Sequence, residues 1–426
     1  MLRTILVNYF MSSKYYFDLG ILSALIFYFF LPFNRLVFSG EQVNENFPDD
    51  SVVTVTITAV GDIMCHSVQY NYARTADDRF DFNPVYRELK KYLINSDFLF
   101  GNFETVTAGK SKGYSGYPFF NTPDDFVAAL KNAGFNLLTT SNNHSFDQGE
   151  KGLLRTIDIM NKNGLNYNGT FSSKKDRDSI RIFNIKGIKI AFLAYTFGTN
   201  GNPIPKGKSY LINLIDLSLI ENDIKTARIK GAEIVLVHYH FGEEYSREPS
   251  DSQKEIVRET IEFGADIIIG GHPHVLQPAD YYKTSNAGLD SGFVVYSMGN
   301  FISNQRWRYS DAGVILNIHI TKNFRNDSIY ISKTDYIPTW VFKGTTDRNS
   351  EYVIIPVLPD YKSSIADYFS KGDINSMMHS FDDCNSIFTK YTRRIKLFEE
   401  QMIIVNIRPR GYEHPENSFL GKIPAK

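Results

Sequence analysis

The sequence predicts a mixed α/β fold, and two observations predict it. Over residues 51–271, β-branched and apolar runs alternate with segments of helical spacing. The three apolar runs that follow, within residues 293–337, have no helical segment between them. Repeated strand–helix–strand units build parallel sheet, whereas strands in direct succession are expected to be antiparallel or at an edge, so the sheet should be mixed.

The elements follow in order. VVTVTITAV (52–60) is β-branched and alternating, PVYRELKKYLI (84–94) has helical spacing, and SDFLF (96–100) is a short apolar run stopping at Gly101. DDFVAALKNAG (124–134) reads as helix, FNLLTTS (135–141) as strand, GEKGLLRTIDIMNKNG (149–164) as helix closed by glycine, and LNYNGT (165–170) as strand. RIFNIKGIKIAFLAY (181–195) is expected to be a hairpin turning at Lys186 and Gly187. Two helix–strand units come next, 214–231 with 232–240 and 252–264 with 265–271; the closing strands are FVVYSMG (293–299), DAGVILNIHI (311–320) and DSIYISKTDYI (327–337).

The chain has 426 residues, enough for one large domain with appendages or for two domains. Its 46 basic and 47 acidic side chains leave no electrostatic footprint for DNA or RNA, so nucleic acid is excluded as a partner. Two cysteines, Cys65 and Cys384, make neither a disulfide framework nor a thiolate zinc site. Residues 19–33 (LGILSALIFYFFLPF) are uncharged, follow Arg3 and Lys14, and are closed by Arg35. This stretch reads as a single N-terminal membrane anchor with the main domain outside the cytoplasm; cleavage near Ser39 and secretion is the alternative. The polar stretch 40–50 reads as a linker, which gives an anchor or signal peptide plus linker over 1–50, a domain over 51–345 and a C-terminal extension of unknown role over 346–426.

Polar residues able to bind metal sit directly after five predicted strands: Asp62 in AVGDIM, Glu104 in FGNFET, Asn143 and His144 in TSNNHS, His238 and His240 in VHYHFGEE, His272 and His274 in GGHPHV. Ligands of α/β sheets bind at such strand ends. Each residue alone has an ordinary explanation as a turn former, cap or structural histidine; their joint placement does not. His238 and His240 alternate, so they share a strand face, and one of them is expected to support the site from behind. His319, His379 and His414 are assigned no role. Imidazole with carboxylate and amide oxygen suits Mn, Fe, Zn or Mg, one or two ions per chain, and a carboxylate such as Glu104 can bridge two.

GDIM, GNFE, SNNHSFDQG, HFGEEY, GGHPHVLQP and YSMGNF, in this order between about Thr56 and Gln305, resemble the motifs of the CapA-type poly-γ-glutamate capsule-biosynthesis family. That family is similar to calcineurin-like metallophosphoesterases, so the resemblance implies an α/β/β/α sandwich with mixed sheets. It also implies Asp62, Glu104, Asn143, His240, His272 and His274 as metal ligands with Glu104 bridging, and His144 and Glu244 as catalytic residues. Tyr245 and Asn300 fall on the substrate side, and His238 and His66 support the ligands. Met64 stands where the wider pattern has a histidine, Phe241 replaces a tryptophan, and Ser303 with Asn304 departs around the last motif; the latter two changes are expected to alter the substrate cleft. The implied function is a metal-dependent hydrolase acting on an anionic envelope polymer or its precursor, alongside other capsule-synthesis membrane proteins. A non-catalytic accessory for polymer binding or export and a secreted phosphodiesterase are the alternatives.

Overall fold

The computed structural model describes residues 51–285, 287–359 and 365–399. Its strands form two mixed sheets, one of nine strands and one of six. β1 (Val52–Ile63), β2 (Phe98–Phe103), β3 (Leu137–Thr139) and β4 (Asn166–Asn168) lie side by side in parallel. The chain then builds the second sheet. β5 (Arg181–Ile185) and β6 (Ile188–Thr196) form the expected hairpin, and both Lys186 (φ 49°) and Gly187 (φ 85°) take the left-handed backbone that a two-residue turn demands. β7 (Ile234–His240) and β8 (Ile267–Gly271) continue in parallel, followed by β9 (Ala279–Lys283) and β10 (Ser291–Val295). Finally the chain returns to the first sheet with β11 (Asn300–Ile302), β12 (Ala312–Asn323), β13 (Ser328–Thr345), β14 (Ser350–Pro356) and β15 (Lys396–Leu397).

The sheets pack face to face because alternate residues of β1, β2, β6, β7 and β8 are apolar toward the middle. Val55, Ile57, Phe100, Ile190, Leu236 and Ile269 share one buried cluster. Helices Asp125–Asn132 and Gly149–Lys162 cover the outer face of the first sheet, and Leu217–Ile229 and Asp251–Glu262 cover that of the second. Parallel strands sandwiched on both faces must be apolar throughout, which is why their runs read so clearly in the sequence.

Three expectations need correction. Residues 84–94 make no continuous helix but a 3-10 turn at Asn83–Tyr86 and a single turn at Lys90–Leu93; Val85, Tyr86, Leu89, Tyr92 and Leu93 are buried as their spacing requires. β10 runs parallel to β8 although no helix joins them, because β9 makes the return journey as the antiparallel edge strand and β10 fills the gap between the two. The boundary placed at 345/346 falls inside the β13–β14 hairpin. β14, together with helix Lys371–Phe388, buries Trp340, Phe342, Val353, Phe369 and Met377, so the supposed extension completes the first sheet. Residues 1–50, with the expected anchor and cleavage site, lie outside the described residues. Among the described residues no helix is long and apolar enough to cross a membrane. Cys65 and Cys384 are buried and free.

Candidate metal centre

Five parallel strands deliver the site. Asp62 closes β1, Glu104 follows β2, Asn143 sits in the loop after β3, His240 ends β7, and His272 and His274 follow β8. The last turn is tightly constrained: a Cβ on Gly271 would lie 2.6 Å from Asp62 Oδ1, so only glycine lets β8 end against that carboxylate. His272 (φ 95°) and His274 (φ 58°) are then both held in the left-handed region, strained backbone of the kind that clusters at functional sites.

The six side chains expected as ligands lie together, none more than 5% exposed. Two overlapping groups, Asp62–Glu104–His240 and Glu104–His272–His274, each keep their donor atoms within 4.8 Å of one another, and Glu104 belongs to both. His240 Nε2 stands 2.8 Å from Asn143 Oδ1 and 3.4 Å from Glu104 Oε1, while His274 Nε2 is 3.7 Å from that same oxygen. Neither Glu104 oxygen has a hydrogen-bond partner, nor does His272 Nδ1, although all three atoms are buried. Buried polar atoms are rarely left unpaired, and an oxygen pair faced by imidazole nitrogens is a donor set that fits a divalent cation.

Asp62 differs. Its Oδ1 accepts from Asn102 Nδ2 (2.8 Å), and its Oδ2 accepts from the His272 amide (3.1 Å) and His274 Nδ1 (3.2 Å). Burial works against ionisation of Asp62, but His274, His240 and Asn102 outweigh it and hold the carboxyl well below the usual range. Burial pushes Glu104 up to about 8. Burial also pushes His240 and His238 down to about 3 and lowers His272, leaving the rings neutral, each with one lone-pair nitrogen. His274 goes the other way: burial is outweighed by Glu104 and Asp62, and it rises to about 9.

Beside this cluster His144 Nδ1 donates to Asp147 Oδ2 (2.8 Å), which fixes the ring and turns its other nitrogen away from Asp147. Asp147 itself is anchored by the Phe120 amide (2.8 Å). Residues 56–305 match the model of the bacterial capsule synthesis protein family PGA_cap.

The chain belongs to that family.

Among curated capsule proteins, it is 33% identical over 276 residues to the capsule biosynthesis protein CapA of Bacillus anthracis, covering 63% of this chain and 64% of that one. It is 30% identical over 267 residues to the PGA biosynthesis protein CapA of Bacillus subtilis, covering 62% and 67%. Solved structures align more loosely. The NAD nucleotidase of Haemophilus influenzae matches at 14% identity and TM-score 0.44 over 82% of this chain and 64% of that one. A calcineurin-like phosphoesterase of Bacillus subtilis matches at 14% and 0.39 over 78% and 98%.

The other residues singled out in the sequence lie around and behind the cluster. His238 is buried behind His240 on the same face of β7. His66 caps helix Ser67–Ala73, with Nδ1 accepting from the Asn304 amide (3.3 Å) and its ring against Phe120. Glu244 is exposed at the rim, and the Tyr245 ring lies 6.2 Å from that of His274. Asn300, expected on the substrate side, is fully buried: its Oδ1 accepts from His274 Nδ1 (3.1 Å) and its Nδ2 donates to Gln305 and Ser310, so it orients the His274 ring. Phe241 is buried against Tyr239 in the apolar layer under the outer helices of the second sheet. Met64 and Ser303 meet each other, Ser303 Oγ lying 3.6 Å from Met64 Sδ, and Asn304 adjoins them through His66, so these departures form one local unit.

Three residues of the site, Asn102, Asn142 and Asp147, were not expected from the sequence. Asn142 Nδ2 donates to Asn102 Oδ1 (3.2 Å) and the Phe103 carbonyl (2.8 Å), which leaves the Asn102 amide free to donate to Asp62 and to His240 Nδ1 (3.0 Å). A signal existed for Asp147 alone, the His-x-x-Asp spacing within one turn of loop.

Proposed function

We propose that this protein is a divalent-metal-dependent hydrolase of the calcineurin-like metallophosphoesterase type, working in capsule biosynthesis on a cell-envelope polymer such as poly-γ-glutamate or on its precursor. The observation that carries the reading is Glu104, a buried carboxylate with two unpaired oxygens shared by both donor groups. Glu104, Asn143, His240, His272 and His274 would hold the ions, with Asp62 on the β1 side. Bound divalent ions supply Lewis acidity at a phosphoryl or acyl oxygen and acidify a water. His144, held by Asp147, places its free nitrogen to give a proton to the leaving group or to orient the substrate. Burial keeps bulk water from competing for these contacts. A His–Asp pair is superfluous in a site that only grips polymer, which favours hydrolysis over a passive accessory role. The same reading anchors the chain in the membrane through residues 19–33, beside other capsule-synthesis membrane proteins.

Metal analysis of His272→Ala tests the donor set; full metal content in that variant would refute it. His144→Ala should keep its metal and lose about 10²–10⁴-fold in turnover of the envelope polymer. Unchanged turnover would turn the site into a gripping device, and rapid turnover of generic phosphodiesters by the wild type would favour a secreted phosphodiesterase.

A further inference from the structure

Two cations adjoin the unit formed by Met64, Ser303 and Asn304, and no carboxylate answers them. Lys343 Nζ donates to Asn304 Oδ1 (3.1 Å) and lies over the Tyr72 and Tyr352 rings at 5.9 and 5.6 Å. Arg306 Nε donates to the Val341 carbonyl (3.2 Å), and its guanidinium lies 5.7 Å from the centre of the buried Trp340 ring. Both side chains are half-buried. Among the described residues, neither has an acidic group within ion-pair distance. Asp311 and Asp373 attract Arg306 only from further away; Asp311 accepts from Trp340 Nε1 (3.1 Å), and Asp373 closes the cap of helix Lys371–Phe388.

Other sheltered cations of this protein have a counter-charge. Arg87 has Glu351 (2.6 Å), Arg177 has Asp223 (2.5 Å), and Lys322 has Glu233 and Asp327; against burial, these carboxylates raise the pKa of all three. Arg306 and Lys343 go the other way: burial lowers both, and the like charge of Arg306 lowers Lys343 further. An arriving anion would relieve that repulsion. Arg306 Nη1 and Nη2 are open to solvent and have no acceptor among the described residues, so one edge of a planar fork is left for a carboxylate. Aromatic faces and a hydrogen bond hold each cation in place before any ligand comes, which lowers the cost of binding.

The loop that carries Arg306 ties the pair to the metal centre. Asn304, which holds Lys343, donates its amide to His66 Nδ1 (3.3 Å). The His66 ring packs against Phe120 and Phe120 against His144, with centroids 5.3 and 4.7 Å apart. Gln305, between Asn304 and Arg306, accepts from Asn300 (3.0 Å), the residue that orients His274. Ser303 and Asn304 are also the positions where the sequence leaves the family pattern around its last motif. A polyanion whose reacting group sits at the divalent ions has further charges along its length, and this loop sets two cations beside the same centre.

We propose that Arg306 and Lys343 form an anion subsite of the cleft, which takes a carboxylate of the polymer further along the chain from the group presented to the metal centre. This rests on the anionic-polymer reading for the ligand, but not on hydrolysis. The metal-loaded full chain carrying His144→Ala, which slows turnover, would be titrated by calorimetry with a γ-linked glutamate decamer and with the same decamer amidated at its carboxyls. The acidic decamer should bind, and the amidated one at least about fivefold more weakly. Lys343→Gln and Arg306→Gln should each weaken the acidic decamer by about fivefold, with metal content and binding of the amidated decamer unchanged. Should Arg306→Gln lower the unfolding temperature through its contact with Trp340, Lys343→Gln decides alone. Binding of neither decamer, equal binding of both, or acidic-decamer binding untouched by the variants overturns the proposal. Charge-dependent binding without metal-dependent cleavage of the decamer by the chain that keeps His144 would instead sink the hydrolase reading alone.

Discussion

Two groups of histidine and carboxylate flank β1, and they use the same residue types to opposite ends. At the metal centre Glu104 keeps two unpaired oxygens, and His272 and His238 each keep an unpaired Nδ1. In the group around His319, spanning β1, β12 and β13, every ring nitrogen and carboxylate oxygen has a partner. His319 Nδ1 bonds with Thr56 Oγ1 (3.0 Å) and its Nε2 donates to Asp335 Oδ2 (2.9 Å). Asp335 also accepts from Asn317 (2.9 Å) and pairs with Lys333 (2.9 Å). One group is finished within the protein and the other keeps buried donor atoms open, as a cation site would. A histidine beside a carboxylate therefore says little about function until its remaining donors and acceptors are accounted for.

The sharpest way to break this contrast is Glu104→Gln, which keeps the shape and removes the charge. Bound metal should fall to background by elemental analysis, with envelope-polymer hydrolysis lost; retention of metal would erase the distinction between the two groups. A graded version uses pH. Glu104 at about 8 and His274 at about 9 must both shed protons before they bind a cation. Raising the pH from 6 to 8 should therefore strengthen metal binding by about tenfold per unit for each proton displaced. Calorimetry in buffers of different ionisation enthalpy would measure the protons released, and binding independent of pH in that window would contradict the proposed donor set. The smallest effect belongs to the finished group. His319→Ala should cost about 1–3 kcal/mol of stability through the stranded Asp335 and Thr56, while metal content stays as in the wild type.

The legible parts of this molecule are those where a single force acts. β1, β6, β7 and β8 are buried on both faces, so their apolar runs announce them. Six side chains that meet in space are readable because each follows such a run. β9 is not: Ala279–Lys283 is an edge strand with Asp280 and two tyrosines, paired on one side only. Without β9 to carry the chain back, β10 is expected to run opposite to its true direction. The helix expected over 84–94 shows the reverse, with the burial pattern right and the backbone broken, because packing requires the apolar side chains and not regular hydrogen bonding. Asn102 and Asn142 escape notice because an amide that aims another side chain has no periodicity to betray it.

The β13–β14 hairpin bears on any attempt to trim this protein. A chain ending at Thr345 would cover the span over which the motifs occur and would still contain every side chain proposed to bind metal. It would also strip the pairing partner from residues Thr339–Thr345 and the cover from Trp340 and Phe342. The result is a long unprotected strand with a greasy face, the shape that recruits a second molecule into intermolecular sheet. Such a fragment should precipitate or form swapped dimers on expression, and its inactivity would be mistaken for a defect of the catalytic centre.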